Sequence, residues 1–426
     1  MGLLSKKPLM FELEPIIVPL SNGIRLVYMY SQSVVAHLGV TVLAGSRYES
    51  HMEEGLAHFL EHCIFKGTKH RRSLHILSRL DAVGGELNAY TTKEEICVYA
   101  SFTKEHTKRA SDLLADIVMN ANFPEKEIQK EKEIVIDEIN SYLDAPSDKI
   151  FDDFEALLFQ NHSLGTNILG TKESVASFTR GELLSYIERF FFPENMVISF
   201  VGDVPISKLT QTLEKDFGGL KRKGVQSDPA SFSGYVPFKK WSKEANFQAH
   251  AVIGGLAPGY NSEQRRGMTL LTNVLGGPAL NSRLILSVRE KYGYSYSIEA
   301  NYTPFVDTGY WAIYFGTDQK YLSKTLKLVY KEIKLMRENA LSEIQLKKAK
   351  EQLKGHLALS LDSNSGIMLG LGKSLLLFNQ IDSIQEIYGA IDKLSISELR
   401  DVAAAYFDHE KLSELVFEFS DENKNE

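Results

Sequence analysis

Apolar and polar residues alternate along GIRLVYMY, AHLGVTVLAG and EICVYASF, a two-residue period that predicts β-strands. SLHILSRLDAV and TKRASDLLADIVMNA repeat their apolar positions every three to four residues, which predicts helices with one buried face. The mixture places the chain in the α+β or α/β class. A longer period lies over these short ones. EICVYASFTKEHTKRASDLLADIVMNANFPEKEIQKEKEIVIDEI reads strand, polar turn, helix, break and long helix. GYWAIYFGTDQKYLSKTLKLVYKEIKLMRENALSEIQLKKAKEQL repeats that order about 215 residues later. The chain therefore reads as two copies of one domain, 1–216 and 244–426, joined by a linker over 217–243 that is rich in Gly, Pro, Ser and charge. The final SDENKNE reads as a polar tail.

Composition narrows the function. The 426 residues are 43% hydrophobic and 24% charged, enough for a sizeable core and more than one domain. A net charge of −7 gives no reason to expect a nucleic-acid partner, and the basic run Lys221-Arg222-Lys223 reads as a solvated loop. Two cysteines, Cys63 and Cys97, are too few for a disulfide framework and suit a reducing compartment. No apolar run approaches the roughly 20 residues of a membrane span, and the N-terminus lacks a signal-peptide core, so a soluble cytoplasmic protein without membrane partners is expected. Gly2 lacks the hydroxyl residue that myristoylation wants where Lys6 stands.

The candidate chemistry lies in EEGLAHFLEHCIFKGT, residues 53–68. On a helix, His58 and His62 lie one turn apart and can aim both imidazoles at one point, with Glu61 on the same side. Leu56, Phe59, Leu60, Cys63 and Ile64 supply an apolar anchoring face, and Glu53 and Glu54 fit the first turn, near the positive end of the helix dipole. This HxxEH spacing suits Zn²⁺ held by two imidazoles, with a carboxylate poised as base. A catalytic zinc needs a third protein ligand as well. PEKEIQKEKEIVIDEINSYL offers Glu131 and Glu138, seven apart and so on one face of a helix that Pro124 can start; the bland reading is a solvated acidic face.

HFLEH followed by Glu138, 76 residues after His62, together with GGELNAYTTKEE, EKEIVIDEI, HSLGTNILGT and SRLILSVREKYGYSYSI, resembles the M16 (pitrilysin/insulinase, inverzincin) zinc peptidases over almost the whole chain. The likeness is to the short two-domain bacterial type, akin to the beta subunit of mitochondrial processing peptidase. It implies an α+β fold of two homologous domains of the LuxS/MPP-like kind, each a mostly antiparallel sheet packed against helices. It implies one zinc per chain on His58, His62 and Glu138, with Glu61 as general base and Glu131 supporting the ligands. The other ring nitrogens of the two histidines need acceptors, which the sequence does not name.

In the family, the strand after the Gly84-Gly85 break is an exposed edge on which a peptide is laid, and Asn88 and Ala89 are the carried-over contacts. In the second half LLTNVLGG stands where HFLEH would recur, so no second zinc of this type is expected. VREKYGYSY instead matches a family Arg and Tyr that bind substrate, Arg289 and Tyr296; Tyr294 competes, and the seven-residue spacing selects Tyr296. Short members imply a dimer, a homodimer or a heterodimer with a sibling, that cleaves oligopeptides or unfolded segments in a closed chamber. A non-catalytic scaffold subunit is the competing class, and retention of all four residues of the metal set favours the enzyme. MLGLGKS, 368–374, lacks the first glycine of a phosphate-binding loop, Ile367 standing there, and Cys63 and His162 are assigned no chemistry.

Overall fold

A computed structural model describes residues 14–224, 229–244 and 247–419; Gly2, linker residues 225–228 and the SDENKNE tail lie outside them. The predicted strands form as β2 (Arg25–Tyr30), β3 (Val35–Val42) and β5 (Ile96–Thr103), after β1 (Ile16–Pro19), with β4 (Glu86–Thr91) between the last two and β6 (Met196–Gly202) later. The second half contributes β7 (Lys239–Glu244), β8 (Ala249–Pro258), β9 (Ser295–Pro304), β10 (Thr308–Thr317) and β11 (Ser413–Phe419). The predicted helices form as Ser73–Asp81 and Thr107–Asn120. No helix among the described residues is long and apolar enough to cross a membrane.

The strands make two sheets, ordered β1-β2-β6-β3-β5-β4 and β7-β11-β8-β10-β9. In the first, β2 and β6 are parallel and every other neighbour is antiparallel. In the second, β7 and β11 are parallel and the rest antiparallel. Strand for strand, β2-β6-β3-β5-β4 matches β7-β11-β8-β10-β9, which is the internal repeat in three dimensions, with β1 an addition to the first copy. The fold is thus α+β, two copies of a mostly antiparallel sheet with helices.

The two units change over at 229/230, inside the expected linker, and also at four further points along the chain. One compact unit comprises 1–139, 167–229 and 359–387, the other 140–166, 230–358 and 388–426. The helix Asn364–Phe378, from the second half of the sequence, therefore belongs with the first sheet, and its repeat counterpart Pro146–Leu158 belongs with the second. A division at 217–243 follows chain order; the side-chain pattern follows burial. Leu26, Tyr28, Ile198 and Phe200 face one side of the first sheet. The alternate residues Val27, Val197 and Val201 pack against Ile367, Met368, Leu371, Leu375 and Leu376. A strand apolar on both faces needs a cover on each, and the returning helix is the second cover.

MLGLGKS lies inside that helix. Gly372 is small because the helix rides low on the sheet: a Cβ there would stand 2.8 Å from the Thr41 hydroxyl and 3.0 Å from that of Ser199. The basic run before the linker also departs from expectation. Lys221 and Lys223 are exposed, but the Arg222 guanidinium donates to the Val118, Met119 and Phe191 carbonyls and its Nε to Glu188. Five N–H donors in a planar fork satisfy backbone acceptors that a lysine could not.

In the second unit Ile150, Phe154 and Leu158 pack on Val252, Tyr310, Ala312, Tyr314, Leu415 and Phe417. Phe154 is fully buried, with its ring 5.6 Å from that of Phe238. Both tryptophans, Trp241 and Trp311, lie in this unit, so their fluorescence reports its unfolding. Phe154→Ala is expected to destabilise the tryptophan-detected transition by about 3–5 kcal/mol in urea titrations, although position 154 precedes the linker.

Candidate metal centre

The helix carrying HFLEH runs Leu56–Ile64, and seven of its nine residues are buried, His58 among them. Its start differs from the expectation of an acidic first turn. Gly55, at φ 91°, turns the chain into the helix, and Glu53 and Glu54 fall ahead of it. Glu53 accepts from the Ser50 amide and hydroxyl and pairs with Arg189, while Glu54 pairs with His51. The free amides are met by Glu49, which accepts from Gly55 N at 3.0 Å and Ala57 N at 2.6 Å. Burial pushes the Glu49 carboxyl up to about 8 even though the Ala57 and Gly55 amides pull it down, so it serves this end as a hydrogen-bond acceptor, and it comes from a loop that no local capping pattern announces.

The far end of the helix is spliced to the second carboxylate-bearing helix. Lys66 N donates to Cys63 O, closing the last turn. Asn122 then donates its backbone N–H to Gly67 O at 3.1 Å and its side-chain amide to Thr68 O at 2.9 Å, and Lys69 N donates to Asn120 O. Two residues beyond Asn122, the Pro124 carbonyl accepts the first helical amides, from Glu127 and Ile128, and the helix Glu125–Leu143 begins. Its buried residues Ile128, Glu131, Val135 and Ile139 form one stripe at helical spacing. Glu131 stands in that stripe, so the solvated-face reading fails for it.

His58, His62 and Glu138 form the group of potential metal ligands among the described residues, their ligand atoms all within 4.8 Å of one another. His58 Nε2 lies 3.8 Å and His62 Nε2 3.3 Å from Glu138 Oε2. The two rings are 4.7 Å apart at 63°. On the other side His62 Nδ1 faces Glu131 Oε2 at 3.5 Å, and Lys66 Nζ sits 2.8 Å from Glu131 Oε1. His58 Nδ1 is buried and has no hydrogen-bond partner among the described residues. With 43% of the Glu138 side chain and 23% of the His62 side chain exposed, the centre is open on one side.

Charge follows position. Burial, reinforced by His62, pushes His58 down to about 4, a preference of roughly 3 kcal/mol for the neutral ring that a metal ligand needs. Burial would lower His62 too, but Glu131, Glu138 and Glu61 together raise it. Burial raises Glu61, Thr91 and His62 pull it back, and Glu138 pushes it up again. Burial acts to raise Glu131, but His62 and Lys66 outweigh it and hold the carboxylate low. Two imidazole nitrogens and one carboxylate oxygen converging on a half-open point match the donor set and the free position of a catalytic zinc site.

Asn88 and Ala89 lie on β4, whose register pairs them with Tyr99 and Val98 of β5. β4 ends its sheet, so its outer edge pairs with no described strand. Arg289 and Tyr296 lie in the second unit, on the short helical turn Ile285–Glu290 and on β9. They meet, with the guanidinium 4.9 Å over a phenol ring that is 83% exposed. Tyr294 stacks between Tyr292 and Tyr321. Leu270–Gly276 of the second copy form part of the helix Arg265–Gly276, which offers no imidazole. Cys63 is core, and His162 accepts from Leu164 N with one ring nitrogen while the other meets Ala230 O, a structural role. Lys66, Glu49 and Asn122 were not anticipated. The i to i+4 step from His62 to Lys66 was visible; nothing local marked the other two.

Gly55 offers a direct check on how the HFLEH helix is held. A Cβ there would meet Gly170 Cα and Leu169 O at 2.7 Å, and its φ of 91° strains any L side chain. Gly55→Ala is expected to cost at least about 1–3 kcal/mol, seen as an earlier urea transition by circular dichroism.

Residues 25–172 match the family described as Insulinase (Peptidase family M16), and 177–353 match the Peptidase M16 inactive domain. An uncharacterized zinc protease of Bacillus subtilis, YmxG, is 34% identical over 389 residues, covering 91% of this chain and 94% of its own. The crystal structure of a protease from Helicobacter pylori has a TM-score of 0.87 at 19% identity, covering 95% of this chain and 99% of that one. A chain of complex III2 from Candida albicans has a TM-score of 0.83 at 20% identity, covering 95% of each. At such identities the two likenesses show the fold alone. The matched domains and the identity to YmxG over nine-tenths of the chain decide the family: the chain belongs to peptidase family M16.

Proposed function

We propose that the protein is a zinc-dependent endopeptidase that hydrolyses oligopeptides or unfolded segments, working as a homodimer in the cytoplasm with one zinc per chain. The observation that carries this reading is the convergence of His58, His62 and Glu138 beside a Glu61 that is not among the converging donors. The three would hold the zinc, which supplies Lewis acidity, polarising a peptide carbonyl and acidifying a water.

This chain's own residues do the rest. Glu61, whose affinity for a proton burial has raised, takes a proton from the attacking water on a carboxylate oxygen and delivers it to the leaving amine. The buried, neutral His58 presents a lone pair without first losing a proton. Glu131 accepts from His62 and orients it. The free edge of β4, with Asn88 exposed on it, receives the substrate as an added strand. Backbone groups are common to all peptides, so such pairing gives loose sequence preference. Arg289 and Tyr296, the pair that the family resemblance assigns to substrate binding, offer N–H and O–H donors to substrate carbonyls.

Glu61→Gln is expected to keep full zinc content by metal analysis while cleavage of a quenched peptide falls about 10²- to 10⁴-fold. Glu138→Ala is expected to lose both zinc and cleavage. Wild-type protein loaded with zinc that cleaves none of a varied peptide library would point to a scaffold subunit.

A further inference from the structure

We propose that Lys66 is a positioning residue of the metal centre, acting through Glu131 to fix which nitrogen of His62 faces the metal position. The inference rests on the zinc reading above. Lys66 follows His62 by four residues and lies just past the helix, where its amide donates to Cys63 O. That turn is the one spliced to Asn122, so the Lys66 backbone is tied to both ligand-bearing helices.

Its ammonium lies 2.8 Å from Glu131 Oε1, leaving Oε2 turned to His62 Nδ1 at 3.5 Å. The Glu131 side chain is only 4% exposed. A buried carboxylate needs a counter-charge, and a metal-binding His62 must be neutral and cannot supply one. Lys66 supplies it from a position 24% exposed, and it occupies one carboxylate oxygen, so the group cannot swing away from the imidazole. An ionised carboxylate only accepts, so His62 Nδ1 carries the hydrogen and Nε2 keeps its lone pair. Nε2 is the atom 3.3 Å from Glu138 Oε2, on the ligand side. His58 has no such support, since its Nδ1 is without a partner among the described residues. The ordering of the ligand set therefore falls on the Lys66–Glu131–His62 chain.

The test is zinc affinity of the full chain, measured by chelator competition and so independent of catalysis. Lys66→Met is expected to weaken zinc binding about 10- to 100-fold, the usual loss when a ligand's hydrogen-bonded support is removed. Lys66→Arg is expected to restore most of it, and Lys66→Met in a Glu131→Gln background to add nothing. Lys66→Gln, which keeps a hydrogen bond without the charge, replaces Lys66→Met should that variant misfold, with a smaller loss expected. Wild-type affinity in Lys66→Met or, where that misfolds, Lys66→Gln, or a loss that adds in full to that of Glu131→Gln, overturns the role of Lys66 alone. A wild-type protein that takes up no zinc overturns this inference and the zinc reading together.

Discussion

The backbone splice between Gly67-Thr68 and Ala121-Asn122 sets the geometry of the candidate metal centre. Three hydrogen bonds, two of which make the isolated bridge Thr68↔Ala121, lock the exit of one helix to the approach of another. Helices are stiff, so fixing their adjoining ends fixes which turns face each other further along. The HFLEH helix is short, and its candidate ligands His58 and His62 lie within about three turns of the splice. Glu131 and Glu138 lie two and four turns into the second helix, so the whole assembly reads out from one junction. Loop hydrogen bonds of this kind, individually worth about 1 kcal/mol, carry the register between side chains 76 residues apart.

Around that junction the charges are graded. His58 is the most buried of the three donors and is held neutral by burial. His62 stands among three carboxylates and is driven the other way. The contrast between two imidazoles one helical turn apart shows that position in the protein, more than residue type, sets their protonation. A divalent cation at the convergence point would relieve both conditions: it takes the lone pair that His58 keeps free and offsets the negative charge around His62.

The repeat gives one architecture two contents. Both copies keep the same strand order and the same parallel pair, and each sheet is covered by a helix from the other half of the sequence. Where the first copy has HFLEH, the second has an amphipathic helix without histidine that ends at Gly276, with Gly277 capping it. What the second copy presents instead is a guanidinium stacked on an exposed phenol. Fold is shared between the copies and chemistry is not, because the sheets depend on apolar pattern while the site depends on a handful of polar positions.

The sequence by itself determined the strands, the helices, the repeat, and the four residues of the HxxEH and distal-Glu set, because each is written in local periodicity, in spacing along a helix or in a family motif. Arg289 and Tyr296 were pointed to by the family resemblance, with spacing choosing Tyr296 over Tyr294, and the fold brings them into contact. Tertiary structure alone decided three things. It gave the cap of the metal helix to Glu49 rather than Glu53 and Glu54. It drew Arg222 out of a presumed solvated run onto three carbonyls. It exchanged the helices Pro146–Leu158 and Asn364–Phe378 between units. The physical reason is common to all three: an orphaned amide, a buried carbonyl or an uncovered apolar sheet face is satisfied by whatever group the fold brings near, and distance along the chain does not constrain that choice.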